Sequence, residues 1–314
     1  MGSRRIERQG ALLALQLGMV AALLAGSASP AFASSPSGHS RGGTSIPTGI
    51  DISYPQCGST FPTTQAFGIV GVTGGLANKL NRCLGPSPSY PEYTESELYW
   101  AVASSLGGTS QPKASLYVNT GDPGNVYNGT AISDWPTSGT TPYGACATTT
   151  VTLASGTVVV GANSDACAWQ YGYNVASQDA TWLTDVATAI NAQSPPVTVA
   201  TTAGGYPWWL DVETANTWQS NTSMNVADLQ GMIAGLQTAG ASTVGAYSTS
   251  SQWNTITGGT TSNSGSLYQI PNWIPGARKL SEAKANCALT SFTDGKVLVT
   301  QWSSRPDDSD YACS

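Results

Sequence analysis

The chain has 314 residues, only 10% of them charged, and its 18 acidic residues outnumber 12 basic ones for a net charge of −6. That balance, with no Lys/Arg cluster in the body of the chain, argues against nucleic acid and anionic lipid surfaces as partners, because both demand basic patches. The single histidine, His39, leaves no positioned imidazole for Ser-His-Asp or Cys-His catalysis or for a histidine-built zinc site.

In chain order, Arg4, Arg5 and Arg8 precede an apolar run over residues 11–25 that is too short to span a bilayer comfortably, and Ala31-Phe32-Ala33 is a small-x-small cleavage signal. Residues 1–33 are therefore predicted to be a secretory signal peptide. Three of the 12 basic and one of the 18 acidic residues leave with it, so the mature net charge is −8. No later segment has the length and apolarity of a transmembrane helix. The expectation is a secreted, extracellular protein with no membrane contact after signal cleavage. Residues 34–46 (SSPSGHSRGGTSI) are Ser/Gly-rich and read as a flexible leader, with His39 inside it.

The remaining residues, 47–314, suit one α/β barrel. Strand-like runs occur at 49–53 (GIDIS), 67–72 (FGIVGV), 114–119 (ASLYVN), 208–213 (WWLDVE), 243–248 (TVGAYS), 268–274 (YQIPNWI) and 296–302 (KVLVTQW). Several are apolar throughout, as strands buried on both faces are. Helix signals lie between them. Thr94 precedes Glu95 and Glu97, with Leu98, Ala101, Val102 and Leu106 at helical spacing and Gly107 as a stop. Residues 169–190 are helical in pattern, and Asn225 is a candidate cap for a helix that ends before Gly240. Alternating strands and helices predict a single (β/α)8 TIM-type barrel in which one of eight strands is missing or irregular. Residues 121–166 break the alternation. Threonine and valine alternate there around Ala154-Ser155-Gly156, which predicts a β-hairpin inserted after the third strand. Such an insertion either walls the active site or decorates the surface.

All six cysteines follow the cleavage point, and an even number in an exported chain reads as disulfides. Of the 15 possible pairings, nearest neighbours are favoured: Cys57 with Cys83, Cys146 with Cys167, Cys287 with Cys313.

The chemistry centres on LDVE. Residues i and i+2 of a strand share a face, so Asp211 and Glu213 project together and Val212 faces away. Two neighbouring carboxylates repel, one pKa rises, and a protonated acid beside an ionised one is the equipment for cleaving a glycosidic bond. Asp51 interrupts the first strand, and the acids after the last strand, Asp307, Asp308 and Asp310, stand to meet it, because a barrel's first and last strands are neighbours. Trp209, Trp273 and Trp302 fall near strand ends, where indoles can stack on sugar rings.

GIDIS, LDVE, VGAYST, NWIPGA and VTQWSS…DSDYAC, in that order, resemble family-25 glycoside hydrolases, the Chalaropsis-type lysozymes, over residues 47–314, in a divergent, disulfide-rich branch of exported actinobacterial proteins. The resemblance implies that Glu213 is the proton donor, that Asp211 steadies the transition state or the substrate's acetamido group, and that Asp51 and Asp310 are the first- and last-strand acids of the cleft. It implies that Tyr247 lines the site, and that the substrate is the β-1,4 bond of peptidoglycan. One departure is that Thr73, Gly74 and Gly75 stand where the family often ends its second strand in an acid. On this reading Glu213 is protonated while Asp211 and Asp51 are ionised. No cofactor or metal is called for, and a monomer is expected. The competing reading is a non-catalytic carbohydrate-binding, wall-associated protein on the same barrel.

Overall fold

In this computed structural model, residues 48–123, 134–153, 155–304 and 307–314 are described. The expected signal peptide and leader lie outside the described residues, as does part of the 121–166 insertion.

The chain runs β1 (Gly49–Ile52), β2 (Gly68–Gly71), α1 (Glu97–Ala103) and β3 (Ala114–Asn119). Next come the small strands β4 (Thr140–Thr141), β5 (Gly144–Ala145), β6 (Thr148–Leu153) and β7 (Gly156–Gly161). The barrel resumes with α2 (Asp165–Ala192), β8 (Trp208–Asp211), α3 (Thr222–Thr238), β9 (Val244–Tyr247) and α4 (Ser250–Thr257). It ends with β10 (Asn272–Ala277), α5 (Leu280–Asn286), β11 (Val297–Ser303) and β12 (Asp308–Ala312). Eight strands close in the order β1-β12-β11-β10-β9-β8-β3-β2.

All seven expected strands are present, and the irregular eighth is β12. It pairs antiparallel with both β11 and β1, while the other neighbours pair in parallel. The chain leaves β11 at Ser303 and returns at once, with Ser303 opposite Asp308, so a hairpin replaces the last crossover helix. The all-parallel expectation is corrected at this strand.

Alternation along each strand sorts the core into two. Ala114, Leu116 and Val118 of β3 and Trp208 and Leu210 of β8 face the helices, whereas Tyr117 and Trp209 fill the barrel with Phe67, Ile69, Trp273 and Val299. Glycine makes room for these rings. A Cβ on Gly71 would lie 2.5 Å from the Tyr117 ring, and one on Gly245 would lie 2.5 Å from Trp209.

Outside the barrel, α2 and α3 pack with unusually close backbones. A Cβ on Gly172 would sit 2.0 Å from the Asp228 carbonyl oxygen, and one on Gly231 would sit 2.0 Å from that of Trp169. Asn221, not Asn225, caps α3, accepting from the Ser223 amide, while Asn225 is buried in the first turns and donates to the carbonyls of Gln219 and Ile256. α1 starts at Glu97, two residues later than Glu95, because Tyr93–Glu95 forms a separate short 3-10 turn.

β6 and β7 form the expected hairpin, and Cys146–Cys167 ties its base to the first turn of α2. Cys57–Cys83 joins the loops after β1 and β2, and Cys287–Cys313 joins the end of α5 to the end of β12. These are the nearest-neighbour pairs. Each closes a loop of 21 to 26 residues, contributing on the order of 3 kcal/mol in the chain-entropy view. Among the described residues, no helix is long and apolar enough to cross a membrane.

Candidate active site

β8 sets the site. Trp208 and Leu210 pack outward, so Asp211 points into the barrel, and buried Val212 returns the chain to the core and leaves Glu213 over the same opening. The opening is a cleft of about 130 Å³ at the C-terminal ends of the parallel strands. Asp51 and Ser53 enter it from β1, Tyr247 and Trp273 from β9 and β10, and Gln301 and Asp308 from the final hairpin. Tyr117 rises from the barrel beneath, its hydroxyl donating to the Ile52 carbonyl at 3.1 Å.

A hydrogen-bond chain fixes the acids. The Tyr247 hydroxyl donates to Gln301 Oε1 at 3.0 Å, and Gln301 Nε2 donates to Asp51 Oδ2 at 2.9 Å. Ser53 Oγ donates to the other Asp51 oxygen at 2.9 Å. Asn119 Nδ2 donates to Asp211 Oδ2 at 2.6 Å, and the Thr120 hydroxyl donates to the Asp211 carbonyl at 2.6 Å. Trp273 Nε1 donates to Asp310 Oδ1 at 2.9 Å. Neither Lys nor Arg lines the cleft; the two ion pairs found among the described residues are Arg278–Glu282 and Lys279–Glu282, both at the surface.

Without cations, burial decides the protonation. Desolvation, reinforced by the Glu213 charge, pushes Asp211 up to about 8 although Asn119 pulls the other way. Desolvation pushes Asp51 up to about 6, held there by the hydrogen bonds from Gln301 and Ser53. Asp310, fully enclosed, is raised well above the carboxylate range, first by burial and then by the charge of Asp51. At neutral pH the open cleft thus pairs a protonated Asp211 with an ionised Asp51. This corrects the expected state of Asp211: being 8% exposed, it has lost the water that would stabilise its charge.

A lysozyme-like family model, described as lysozyme-like protein 1, matches residues 205–275. Two Dictyostelium discoideum proteins, probable family-25 lysozymes 4 and 2, are 43% and 42% identical to this chain over 65 residues. Over that stretch the chain is similar to the family-25 lysozymes. The matches cover 21% of this chain and 30% and 28% of those proteins, so the chain spans less than a third of the curated relatives it matches. A solved lysozyme from Streptomyces coelicolor is 15% identical with a TM-score of 0.40, the alignment covering 87% of this chain and 94% of that one. The segment matched by the family model runs from the entry of β8 into β10 and carries Asp211, Glu213, Tyr247 and Trp273 of the cleft.

The structure brings together Asp51, Asp211, Glu213, Tyr247 and Trp273 as expected from the sequence. Three expectations are corrected. Trp209 is 1% exposed inside the barrel, packed edge to face on Trp273, and reaches no opening. Trp302 does not line the cleft, because Val299 and Gln301 take the inward positions of β11 and Trp302 falls on the other face. Asp310 does not line it either. β12 descends into the barrel, so its first inward residue, Asp308, stands at the rim and Asp310 lies two residues deeper. Sequence reasoning missed Ser53, Tyr117, Asn119 and Gln301. For Gln301 the signal was present, a polar residue two positions after an inward valine in VLVTQW. No described residue of the 121–166 insertion lines the cleft. The hairpin region packs instead on α2 and α3, through Trp135 against Tyr171 and the Tyr143 hydroxyl on Gln230.

No group of three or more His, Cys, Asp or Glu side chains among the described residues is arranged to hold a metal ion.

Proposed function

We propose that the chain is an exported glycoside hydrolase that cleaves β-1,4 bonds of peptidoglycan by carboxyl acid/base catalysis. The observation that carries the proposal is the gathering of Asp211, Glu213 and Asp51 in one cation-free cleft, with Asp211 at the end of β8 and Glu213 two residues beyond it. The relatives' names support the lysozyme assignment, and three disulfides support export to an oxidising compartment.

In this reading Glu213 is the group presented to the glycosidic oxygen, since it is the more exposed of the β8 pair. Asp211 lies beneath it, and burial reinforced by the Glu213 charge pushes the Asp211 carboxyl up to about 8, so that it carries a proton near neutrality. Asp51, ionised above about 6 and fixed by Gln301 and Ser53, faces the positive charge that develops on the sugar ring. Tyr247 and Trp273 offer their rings to the sugar face.

Glu213→Gln tests the assignment. Release of reducing ends from purified cell-wall sacculi should fall by about 10³-fold or more, with unchanged circular dichroism and thermal midpoint. Undiminished release would remove Glu213 from the mechanism. Sacculus binding by the wild type with no release at all would favour the non-catalytic carbohydrate-binding alternative.

A further inference from the structure

The β1–β12 side of the cleft carries more negative charge than the proposed cleavage uses. The register sets Asp51 of β1 directly opposite Asp308 of β12, and both side chains line the opening. Asp308 is there because β12 returns antiparallel along β11, which puts its first residue opposite Ser303 at the rim. We infer that Asp308 is a specificity-determining residue, which selects glycan strands that present a hexosamine whose nitrogen is a free ammonium rather than an acetamide. The inference rests on the glycan-cleaving reading above and narrows its substrate class.

Three observations carry it. The first is the cross-strand pair itself. Like charges directly opposite each other on neighbouring strands are destabilising, and the Asp308 charge makes both Asp51 and the deeper Asp310 harder to ionise. Among the described residues, neither Lys nor Arg lines the cleft to offset that repulsion. A cation delivered by the ligand would offset it, and a primary ammonium is the cation that a hexosamine strand can bring.

The second is hydrogen bonding. Ser53 Oγ lies 2.9 Å from Asp51 Oδ1 and 3.4 Å from Asp308 Oδ2. A hydroxyl has a single proton to donate, and the shorter contact takes it, so Asp308 keeps acceptor capacity toward the cleft. Across the opening, Asp211 is buried and its Oδ1 has no partner among the described residues. Buried polar atoms are rarely left unpaired, which points to a ligand rich in polar hydrogens. An ammonium carries three N–H donors, where an acetamide nitrogen on the ring carries one.

The third is continuity with the aromatic wall. Tyr247 is bonded through Gln301 to Asp51, and Trp273 is bonded directly to Asp310. The rings offered to a sugar face and the acids of the β1–β12 side thus belong to one bonded network.

The test uses the whole protein and two probes, a β-1,4-linked glucosamine tetramer and its fully N-acetylated counterpart. Binding is followed by isothermal titration at a pH at which the amines are protonated. The wild type should bind the glucosamine tetramer about tenfold more tightly, as expected of a hydrogen bond between charged groups, and the difference should shrink as salt is added. Asp308→Asn, an isosteric change at a half-buried rim position, should abolish the preference. Asp307→Asn removes the same charge from the neighbouring residue, which does not line the cleft, and should keep it. In Asp308→Asn the Asp51 midpoint, read by carboxyl-carbon NMR, should also fall, because a like charge has gone while Asp211, Asp310, Tyr117 and Tyr247 around it remain. A wild type without preference, an undiminished preference in Asp308→Asn or an unmoved Asp51 midpoint overturns the assignment. So does tight binding only of an N-acetylated muropeptide with a lysine side chain, which would put the ammonium on the stem peptide. A preference that depends on Asp308, with no release of reducing ends from sacculi, sinks the glycan-cleaving reading and leaves the recognition of the ammonium sugar standing.

Discussion

Asp211 and Asp51 show how single contacts tune this site. With Asp51 at about 6 and Asp211 at about 8, hydrolysis that needs Asp51 ionised and Asp211 protonated should follow a bell-shaped pH profile with limbs near those values. The upper limb depends on Asn119. Its Nδ2–H stabilises the ionised form of Asp211, so deleting it must raise the pKa further. Asn119→Ala should therefore move the alkaline limb of kcat/KM upward by roughly one pH unit, with the acid limb unmoved. A downward shift would show that Asp211 does not set that limb. The paired carboxylates of LDVE were legible because strand periodicity fixes which residues share a face. Asn119 was not legible, because its meaning comes from lying opposite Asp211 across the β3–β8 register.

At the level of elements, helix signals were readable where local chemistry sets them, and were misread where tertiary contacts intervene. Asn225 looked like a cap but is an interior residue whose amide ties the loop before α3 to the last turn of α4. The glycines of α2 and α3 carried no visible meaning in sequence, yet they set the distance between the helices. Gly231→Ala tests this. Alanine gains up to about 1 kcal/mol of intrinsic helix propensity over glycine. Its Cβ would collide with the Trp169 carbonyl, which is rigid helix backbone. Overpacking of this kind costs about 1–3 kcal/mol or more, so the clash should win, with net destabilisation of about 1–2 kcal/mol in urea unfolding. A more stable variant would show that α2 and α3 shift apart freely. β12 is the other case. DSDYA alternates as any half-buried strand does, and nothing local states that it runs down the barrel instead of up.

For the whole molecule, buried carboxyls outweigh surface ion pairs. Burial raises Asp51 to about 6, Glu97 to about 7 and Asp211 to about 8, and it raises Asp179, Asp228 and Asp310 well above the ordinary carboxylate value. Each has a folded pKa above its unfolded value near 4, so the native state binds more protons than the unfolded state in between. Stability is then fully retained below about pH 4 and declines as pH rises through 6 to 8. Raising one carboxyl's pKa tenfold in affinity for its proton corresponds to about 1.4 kcal/mol. The thermal midpoint should accordingly be about 5–10 °C higher at pH 5 than at pH 8.5, measured by calorimetry at constant ionic strength. A midpoint that rises with pH would mean these acids are ionised without cost.

The sequence by itself determined the seven parallel strands, the disulfide partners and the acid pair of β8, because each follows from spacing along the chain: period two in a strand, short loops between cysteines, apolar runs where both faces are covered. Only the tertiary structure decided which acid holds a proton, which tryptophans meet solvent, and that Asp308 rather than Asp310 stands at the rim. Those properties depend on burial and on strand direction, and both are set by residues that are distant in sequence and become neighbours only when the barrel closes.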